Sequence, residues 1–296
     1  MDASIIIVSW NVRDLLSKCL QSIYTYTNDL DFEVIVVDNA STDGSAAMVK
    51  DTFPQARLIE NDANVGFAAA NNQGAKDAKG RVLVFLNDDV QLTSNAVERM
   101  VRQIESDNSI GVLGCRMKFP DGSHQDSVRH FPGVRDQLLI LLKLHNIFPT
   151  LPALRRYFAT GMDYNKEQKV DQVMGACMVI RNEIFKRVNG FDDGYRLWFE
   201  EVDLQKRIQK RLGLSAVYTP NVEIIHVKGA SFFQNLSLQN QAYLNRSMRR
   251  YFHRHHSPGA YLLIAALQPF SYALAAIAQL FQKTGVDIKK YKHGHD

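Results

Sequence analysis

Apolar residues in the first 120 positions fall into short blocks separated by polar stretches. Residues 3–9 (ASIIIVS) form a β-branched run without alternation, as expected of a strand buried on both faces. Val12, Leu15, Leu16, Cys19, Leu20 and Ile23 then recur at three- and four-residue spacing, which predicts a helix. The succession repeats, with strands at 32–37, 57–60, 81–86 and 110–117 and a second helical stripe in Val97, Met100, Val101 and Ile104. Such alternation predicts right-handed βαβ units and an α/β fold with a mostly parallel sheet flanked by helices. Ligands bind beyond the carboxyl ends of strands in these sheets. Three loops there are crowded with polar groups: 38–44 (DNASTDG), 61–66 and 87–89 (NDD).

The pattern loosens after residue 118. Pro120-Asp121-Gly122 is a turn within an excursion over 119–130. Residues 137–148 are strongly apolar yet carry Lys143 and His145, and read as either a membrane contact or a buried lid helix. A strand is predicted at 170–180, a short helix at 183–188, an amphipathic helix at 201–212 and strands at 215–219 and 222–227. From about residue 230 the chain is helical and basic or apolar. Residues 259–281 carry no formal charge, and as one helix would run about 35 Å, enough to cross a bilayer. Gln268-Pro269 is expected to interrupt that stretch. Basic residues flank it on both sides, Arg246, Arg249, Arg250 and Arg254 before, Lys283, Lys289, Lys290 and Lys292 after. A single span would leave one basic flank outside, so helices lying in or dipping into the inner leaflet are expected, with a true span and a packed core helix as the alternatives.

Charge sharpens this division. The 296 residues carry a net +4, but from Arg246 onward there are eight Lys/Arg and two Asp, leaving 27 basic against 29 acidic residues before it. A slightly acidic body thus bears a basic tail, and no nucleic-acid partner is indicated. Cys19, Cys115 and Cys177 are far apart with no CxxC, which fits a reducing compartment and neither a zinc knuckle nor a disulfide framework. No secretory signal is recognisable, so the body is expected in the cytoplasm.

Several residue groups could do chemistry. Asp88 and Asp89 repel one another at a strand end, a conflict that a divalent cation would resolve while clamping a diphosphate; a solvated turn is the structural alternative. Glu200, Glu201 and Asp203 follow Trp198 and Phe199. They either complement a helix dipole or include a carboxylate raised by an apolar wall into a useful general base. His226 ends a strand and is more often structural unless a metal lies near. Asp38, in an Asp/Ser/Gly loop, is weak alone. The G-x-G-x-x-G fingerprint, the Walker A loop and the G-x-S-x-G elbow are all missing, which removes the main support for nicotinamide, kinase and serine-hydrolase readings. A nucleotidyl transferase would want a basic, Gly-rich first loop, where only Arg13 stands.

Taken in order, Ser9-Trp10-Asn11, Val36 to Gly44, Asn64-Val65-Gly66-Phe67, Leu86-Asn87-Asp88-Asp89, Gly175-Ala176-Cys177, Gly190-Phe191-Asp192, Glu200 to Leu204 and His226 resemble the family-2 inverting glycosyltransferases, enzymes of GT-A fold. The resemblance covers about residues 3–231. It is nearest to bacterial rhamnosyltransferases that extend lipid-linked cell-wall or O-antigen precursors, through the 131–157 insert and Arg249-Arg250-Tyr251-Phe252 with His255-His256. It implies a catalytic domain at 1–231, with a Rossmann-like nucleotide-sugar half at 1–117, an acceptor half at 118–231 holding an insert at 131–169, and a membrane-associating helical tail at 232–296. By the same resemblance Asp38 would accept the N3–H of uracil or thymine, Ser9, Trp10 and Asn64 would belong to the nucleotide site, and Asp88 would approach the ribose. Asp89 and His226 would hold Mn²⁺ or Mg²⁺, and Glu201 would be the general base. The family usually has Glu-Asp where this chain has Glu200-Glu201, so Glu200 stays a candidate for that role. The implied donor is dTDP-rhamnose or another dTDP- or UDP-sugar and the implied acceptor a polyprenyl-diphosphate-linked saccharide. The implied place is the cytoplasmic face of the inner membrane, held peripherally or monotopically. A membrane-tethered protein that binds nucleotide sugars without turnover is the non-catalytic alternative.

Overall fold

The computed structural model describes residues 1–227 and 237–283. They divide into two compact units: 1–131 with 158–227, and 132–157 with 237–283. The expected boundary at 231/232 and Lys289, Lys290 and Lys292 lie outside the described residues.

The first unit opens with β1 (Ala3–Ser9), α1 (Arg13–Tyr26), β2 (Phe32–Asp38), α2 (Ser45–Thr52), β3 (Arg57–Glu60), α3 (Phe67–Lys76) and β4 (Val82–Asn87). It continues through β5 (Val90–Leu92), α4 (Ala96–Ser106), β6 (Ile110–Lys118), β7 (His124–Gln125) and β8 (Val128–Arg129). In the second unit come α5 (Val134–Leu141), a 3₁₀ turn (Leu144–Asn146) and α6 (Pro152–Tyr157). The chain returns to the first unit with β9 (Gln168–Val170), β10 (Gln172–Val173), β11 (Cys177–Arg181), α7 (Asn182–Arg187), α8 (Glu200–Leu212) and β12 (Ser215–His226). The helices α9 (Ser237–His255) and α10 (Pro258–Lys283) belong to the second unit.

The main sheet runs β3-β2-β1-β4-β11-β6-β12-β5. Neighbours are parallel from β3 to β4 and between β6 and β12, while β11 is inserted antiparallel between β4 and β6. Ile5 and Ile7 join the apolar cluster that α1 and α4 cover, and Ile6 joins the opposite one with Phe85, Met178 and Leu204. Both faces are buried, as the unbroken run in β1 predicts, and each such isoleucine contributes roughly 1.5–3 kcal/mol over an exposed one.

The elements that pattern alone does not reveal have physical reasons. In α3 the packing residues are alanine and glycine, which make no apolar stripe but let the helix sit close to the sheet; a Cβ at Gly74 would lie 2.6 Å from Ile6 Cγ2. The single strand expected at 170–180 is three pieces, β9, β10 and β11, because the chain turns at 174–176. The two strands expected at 215–227 are one, β12, whose register slips between Thr219 and Glu223, where Pro220 has no N–H to donate. In the second unit the apolar stretch 137–148 is not one helix: α5 ends at Leu141 and Lys143 is left-handed (φ +59°). The Gln268-Pro269 interruption does not occur either, since α10 is continuous through Pro269. There Pro269 is exposed, while Gln268 and Ser271 hydrogen bond to Asn245 on either side of it.

Candidate active site

The strand register assembles the site. In β1 and β2 Ser9 lies beside Asp38, and in β1 and β4 Val8 lies beside Asn87, so Ser9, Asp38 and the Asn87-Asp88-Asp89 turn share one carboxyl edge of the sheet. The loops leaving that edge are stitched together by side chains. Asn11 N–H donates to Ser41 Oγ (3.0 Å), Asn11 Oδ1 accepts from Thr42 N–H (2.7 Å), and Asp43 accepts from the Arg13 and Ser45 amides. Asn39 Oδ1 takes the Val65 amide (3.0 Å) while its Nδ2 donates to Asn64 Oδ1 (3.1 Å), which also caps the Gly66 amide. Gly66 is left-handed (φ +91°), and a Cβ there would press on the Arg196 carbonyl at 3.0 Å, so this loop requires glycine. Asn64 therefore uses its oxygen to shape the loop.

One oxygen at this edge is left over. The buried Asp38 accepts the Ser41 amide at Oδ2 (2.9 Å), while its Oδ1 has no hydrogen-bond partner. A buried carboxylate oxygen without a partner carries a large desolvation penalty unless a ligand donates to it.

Asp88 and Asp89 are both buried. Burial, and then the neighbouring Asp89 charge, pushes the Asp88 carboxyl up to about 8, against the pull of Ser9 and the Trp10 amide. Antiparallel pairing of β5 with β12 sets His226 opposite Val90, which brings His226 Nε2 to 3.2 Å from Asp89 Oδ1. Gln125, from the short β7, holds the ring by two contacts: its amide nitrogen donates to the His226 carbonyl (3.3 Å), so its Oε1 faces Nδ1 (2.6 Å) and accepts the proton there. In the neutral ring this leaves a lone pair on Nε2, 3.2 Å from Asp89 Oδ1, which has no hydrogen-bond partner. Two acceptors facing each other in a buried site suit a shared cation. Neighbouring ligands about 2.1 Å from an octahedral ion would sit about 3.0 Å apart, close to the 3.2 Å observed. Among the described residues no third His, Cys, Asp or Glu completes a protein-only metal site. Such an ion would therefore keep positions for diphosphate or water.

The acidic cluster divides by role. Asp203 is wholly buried against Arg207 (2.7 Å), whose other nitrogens donate to the Val188 and Gly190 carbonyls, so it anchors α8. Glu200 and Glu201 head the helix after Trp198 and Phe199, two successive non-glycine residues with left-handed backbone (φ +63° and +69°). Each left-handed residue costs on the order of 1–3 kcal/mol, and such strain gathers at functional sites. Burial, and then the Glu201 charge, holds Glu200 well above the carboxylate range, and its Oε2 has no hydrogen-bond partner. Burial also raises Glu201, which is only half-buried. Gly175 lies against the Glu201 side chain: a Cβ there would be 3.5 Å from Glu201 Cβ and Cγ. One turn on, Gln205 clamps α8 to β10, accepting the Val173 amide and donating to the Val173 carbonyl, both at 2.8 Å. Because β11 pairs with β4 and the Asn87 amide donates to the Ala176 carbonyl (3.0 Å), the turn at Gly175-Ala176 that packs against Glu201 is tied to the Asp88-Asp89 turn.

The structure thus brings Ser9, Asp38 and Asp88 to one strand edge, pairs Asp89 with His226, and sets Glu200 beside Glu201. Pattern reading misses Gln125, Gln205 and Asn39. Each works through backbone groups distant in sequence, and no local periodicity marks it.

Known proteins resemble this chain in sequence and in fold. Residues 4–188 match glycosyl transferase family 2, and residues 155–228 match the N-terminal domain of galactosyltransferase. The chain is 28% identical over 242 residues to the N-acetylglucosaminyl-diphospho-decaprenol L-rhamnosyltransferase of Mycobacterium tuberculosis, covering 77% of this chain and 76% of the relative. It is 26% identical over 238 residues to the rhamnosyltransferase WbbL of Escherichia coli K12, covering 75% and 82%. In fold it is similar to the mannosyltransferase PcManGT from Pyrobaculum calidifontis, solved with GDP-Man and Mn²⁺, with a TM-score of 0.57 at 18% identity over 98% of this chain and 77% of that one. With a family match spanning most of the sheet unit and a fold shared with a sugar-nucleotide enzyme, the chain belongs to glycosyl transferase family 2 and is a glycosyltransferase of GT-A fold.

Proposed function

We propose that this glycosyltransferase moves rhamnose from dTDP-rhamnose to a polyprenyl-diphosphate-linked saccharide, with inversion and with a divalent cation, in the synthesis of a cell-envelope polysaccharide. It would act at the cytoplasmic face of the inner membrane, with its C-terminal helices as the membrane-associating part. The donor and acceptor classes are supported by the names of the mycobacterial and E. coli relatives. The observation that carries the chemistry is the buried pair of acceptors, Asp89 Oδ1 and His226 Nε2, at the end of a sheet strand.

In this reading Asp38 Oδ1 accepts the N3–H of thymine, with Ser9 and Trp10 lining the base site and Asp88 at the ribose. Asn64 holds the loop that borders it. Asp89 and His226 hold Mn²⁺ or Mg²⁺, which supplies charge stabilisation for the departing nucleoside diphosphate. The acceptor hydroxyl attacks the anomeric carbon in line. As its new C–O bond forms, the bond to the diphosphate breaks and the hydroxyl proton passes to Glu201. Two features favour Glu201 over Glu200 as the base. Glu201 is the more accessible, and burial with the neighbouring Glu201 charge raises Glu200, which disfavours the ionised form a base needs.

The test is Glu201→Gln assayed for donor binding and turnover. Mn²⁺-dependent thermal stabilisation by dTDP-rhamnose should persist while transfer falls about 10²–10⁴-fold. Normal transfer by this variant would overturn the base assignment. Stabilisation by UDP- or GDP-sugars alone would replace the donor.

A further inference from the structure

The helical unit has its polarity reversed. On α10 the inward positions are Ile264, Gln268, Ser271 and Ala275, at spacings of four, three and four residues. Two of these are polar. The outward positions are Leu262, Leu263, Phe270, Leu274 and Ile277, all exposed. The stretch Pro258–Ile277 has a mean hydropathy of 1.6 with only 22% of its residues buried. A helix in water hides its leucines and shows its glutamines. This one does the opposite.

Its partner explains why. Along α9 the inward residues Gln241, Asn245, Met248 and Phe252 follow the same spacing, and Asn245 is the hub. Gln268 Nε2 donates to its carbonyl (2.6 Å), while Gln241 Nε2 (2.9 Å) and Ser271 Oγ (3.3 Å) donate to its Oδ1. Lys143 Nζ extends the chain to Gln241 Oε1 (2.5 Å). Outward, α9 exposes Arg246, Arg249, Arg250 and Arg254. The helices meet at Ser257, and Asn245 touches α10 at 268 and 271, so they form an antiparallel hairpin in which these arginines run beside the first half of α10.

This decides between the two membrane arrangements that α10 could adopt. With 26 residues it is about 39 Å long, enough to span. If it spanned while paired to α9, Arg246 would be carried near mid-bilayer depth and Arg249 and Arg250 into the hydrocarbon beside it, where arginine is among the most costly of side chains. If it lies flat, its outward leucines and phenylalanine enter the acyl region and the arginine row stays with anionic headgroups. We infer that the α9–α10 hairpin docks in the plane of an anionic lipid leaflet, held together by the Asn245 hub, with α10 immersed along its length and neither end crossing. The inference rests on the membrane-associated part of the proposed function and is independent of donor and acceptor.

The experiment uses the full chain with single cysteines at exposed sites, Leu262→Cys, Phe270→Cys, Ile277→Cys and Arg250→Cys, each carrying an environment-sensitive fluorophore. Helix content is checked by circular dichroism, and the native cysteines are all buried. Vesicles of phosphatidylethanolamine with 30% phosphatidylglycerol are compared with phosphatidylcholine vesicles, without sugar nucleotide. The expected result is equal, shallow quenching of the three α10 probes by a spin label near the headgroup, iodide access retained at residue 250, and at least tenfold stronger binding to the anionic vesicles. Phe270→Asp with Leu274→Asp should weaken binding at least tenfold. Deepest quenching at residue 270 with shallow quenching at 262 and 277 would mean a span and overturn the inference, as would no change on adding vesicles. Because no transfer is measured, neither outcome depends on the catalytic reading.

Discussion

In the sheet unit Ile5, Ile6 and Ile7 are wholly buried, and among the described residues its exposed large apolar side chains are the scattered Met1, Tyr26 and Val65. In the helical unit Gln241, Asn245, Gln268 and Ser271 are buried while Leu262, Phe270 and Ile277 face outward. Both units bury polar groups, but for different ends. The helical unit links its buried amides through Asn245, which specifies the pairing of two helices, although Asn240 Oδ1 and Asn245 Nδ2 have no hydrogen-bond partner. The sheet unit leaves Asp38 Oδ1, Asp89 Oδ1 and Glu200 Oε2 without hydrogen-bond partners, all at strand ends or helix starts facing one edge. An unsatisfied buried oxygen is a cost in the free protein that a ligand can relieve. Charge thus separates the two: the unpartnered buried groups of α9 are neutral amides, whereas those of the candidate site include carboxylate oxygens.

Substitutions should divide along this line. The largest effect falls on chemistry in the sheet unit, where Glu201→Gln is expected to lower transfer 10²–10⁴-fold with the thermal transition little changed. Next is Gln125→Leu, which frees the His226 ring. Mn²⁺ binding followed by electron paramagnetic resonance should weaken 10–100-fold, and unchanged affinity would show that Gln125 does not orient the ring. In the helical unit the opposite readout is expected: Asn245→Ala removes the hub oxygen and leaves the Gln241 and Ser271 side chains short of a partner, while Gln268 keeps the carbonyl of residue 245. It should destabilise by about 1–3 kcal/mol, measured by denaturant unfolding, with sugar-nucleotide binding retained.

The smallest effect is a gain. Because the folded protein raises Glu200, its carboxyl holds a proton longer when folded than when unfolded. Stability from this group is fully present below about pH 4.3 and is lost as pH rises through the folded value, by at most about 1.4 kcal/mol per pH unit. Glu200→Gln should therefore match the parent near pH 4 and become progressively more stable than it toward neutrality. A constant offset across pH would break the claim that this buried acid is strained by ionisation.

Much of the sheet was legible in the sequence because buried strands need continuous β-branched runs, and β1, β2 and β4 have them. The strand-end rule then pointed to Asp38 and Asp88-Asp89 before any fold was known. Helix α3 was not legible, since alanine and glycine pack closely without an apolar stripe, and neither was the division of 168–181 into three strands, because its apolar residues run on through the turn at 174–176. The reading of Asp203 changed for a similar reason. As a sequence feature it is one of three acids, whereas its partner Arg207 and that residue's grip on the Val188 and Gly190 carbonyls make it an anchor.

The sequence by itself determined the α/β class, the carboxyl edge where the candidate site lies and the family, because these follow from local periodicity and from short ordered motifs. Tertiary structure alone decided which acceptor faces which. The lone pair of His226 meets Asp89 only through the β5–β12 register and the Gln125 amide, some 100 residues away in the chain. It also decided the sense of α10, whose composition admits a core helix, a span or a surface helix. The side turned to α9 is set by hydrogen bonds to Asn245, and that leaves the apolar side outward. Periodicity reports how residues are spaced along one element, and the partner across the interface fixes what each face is for.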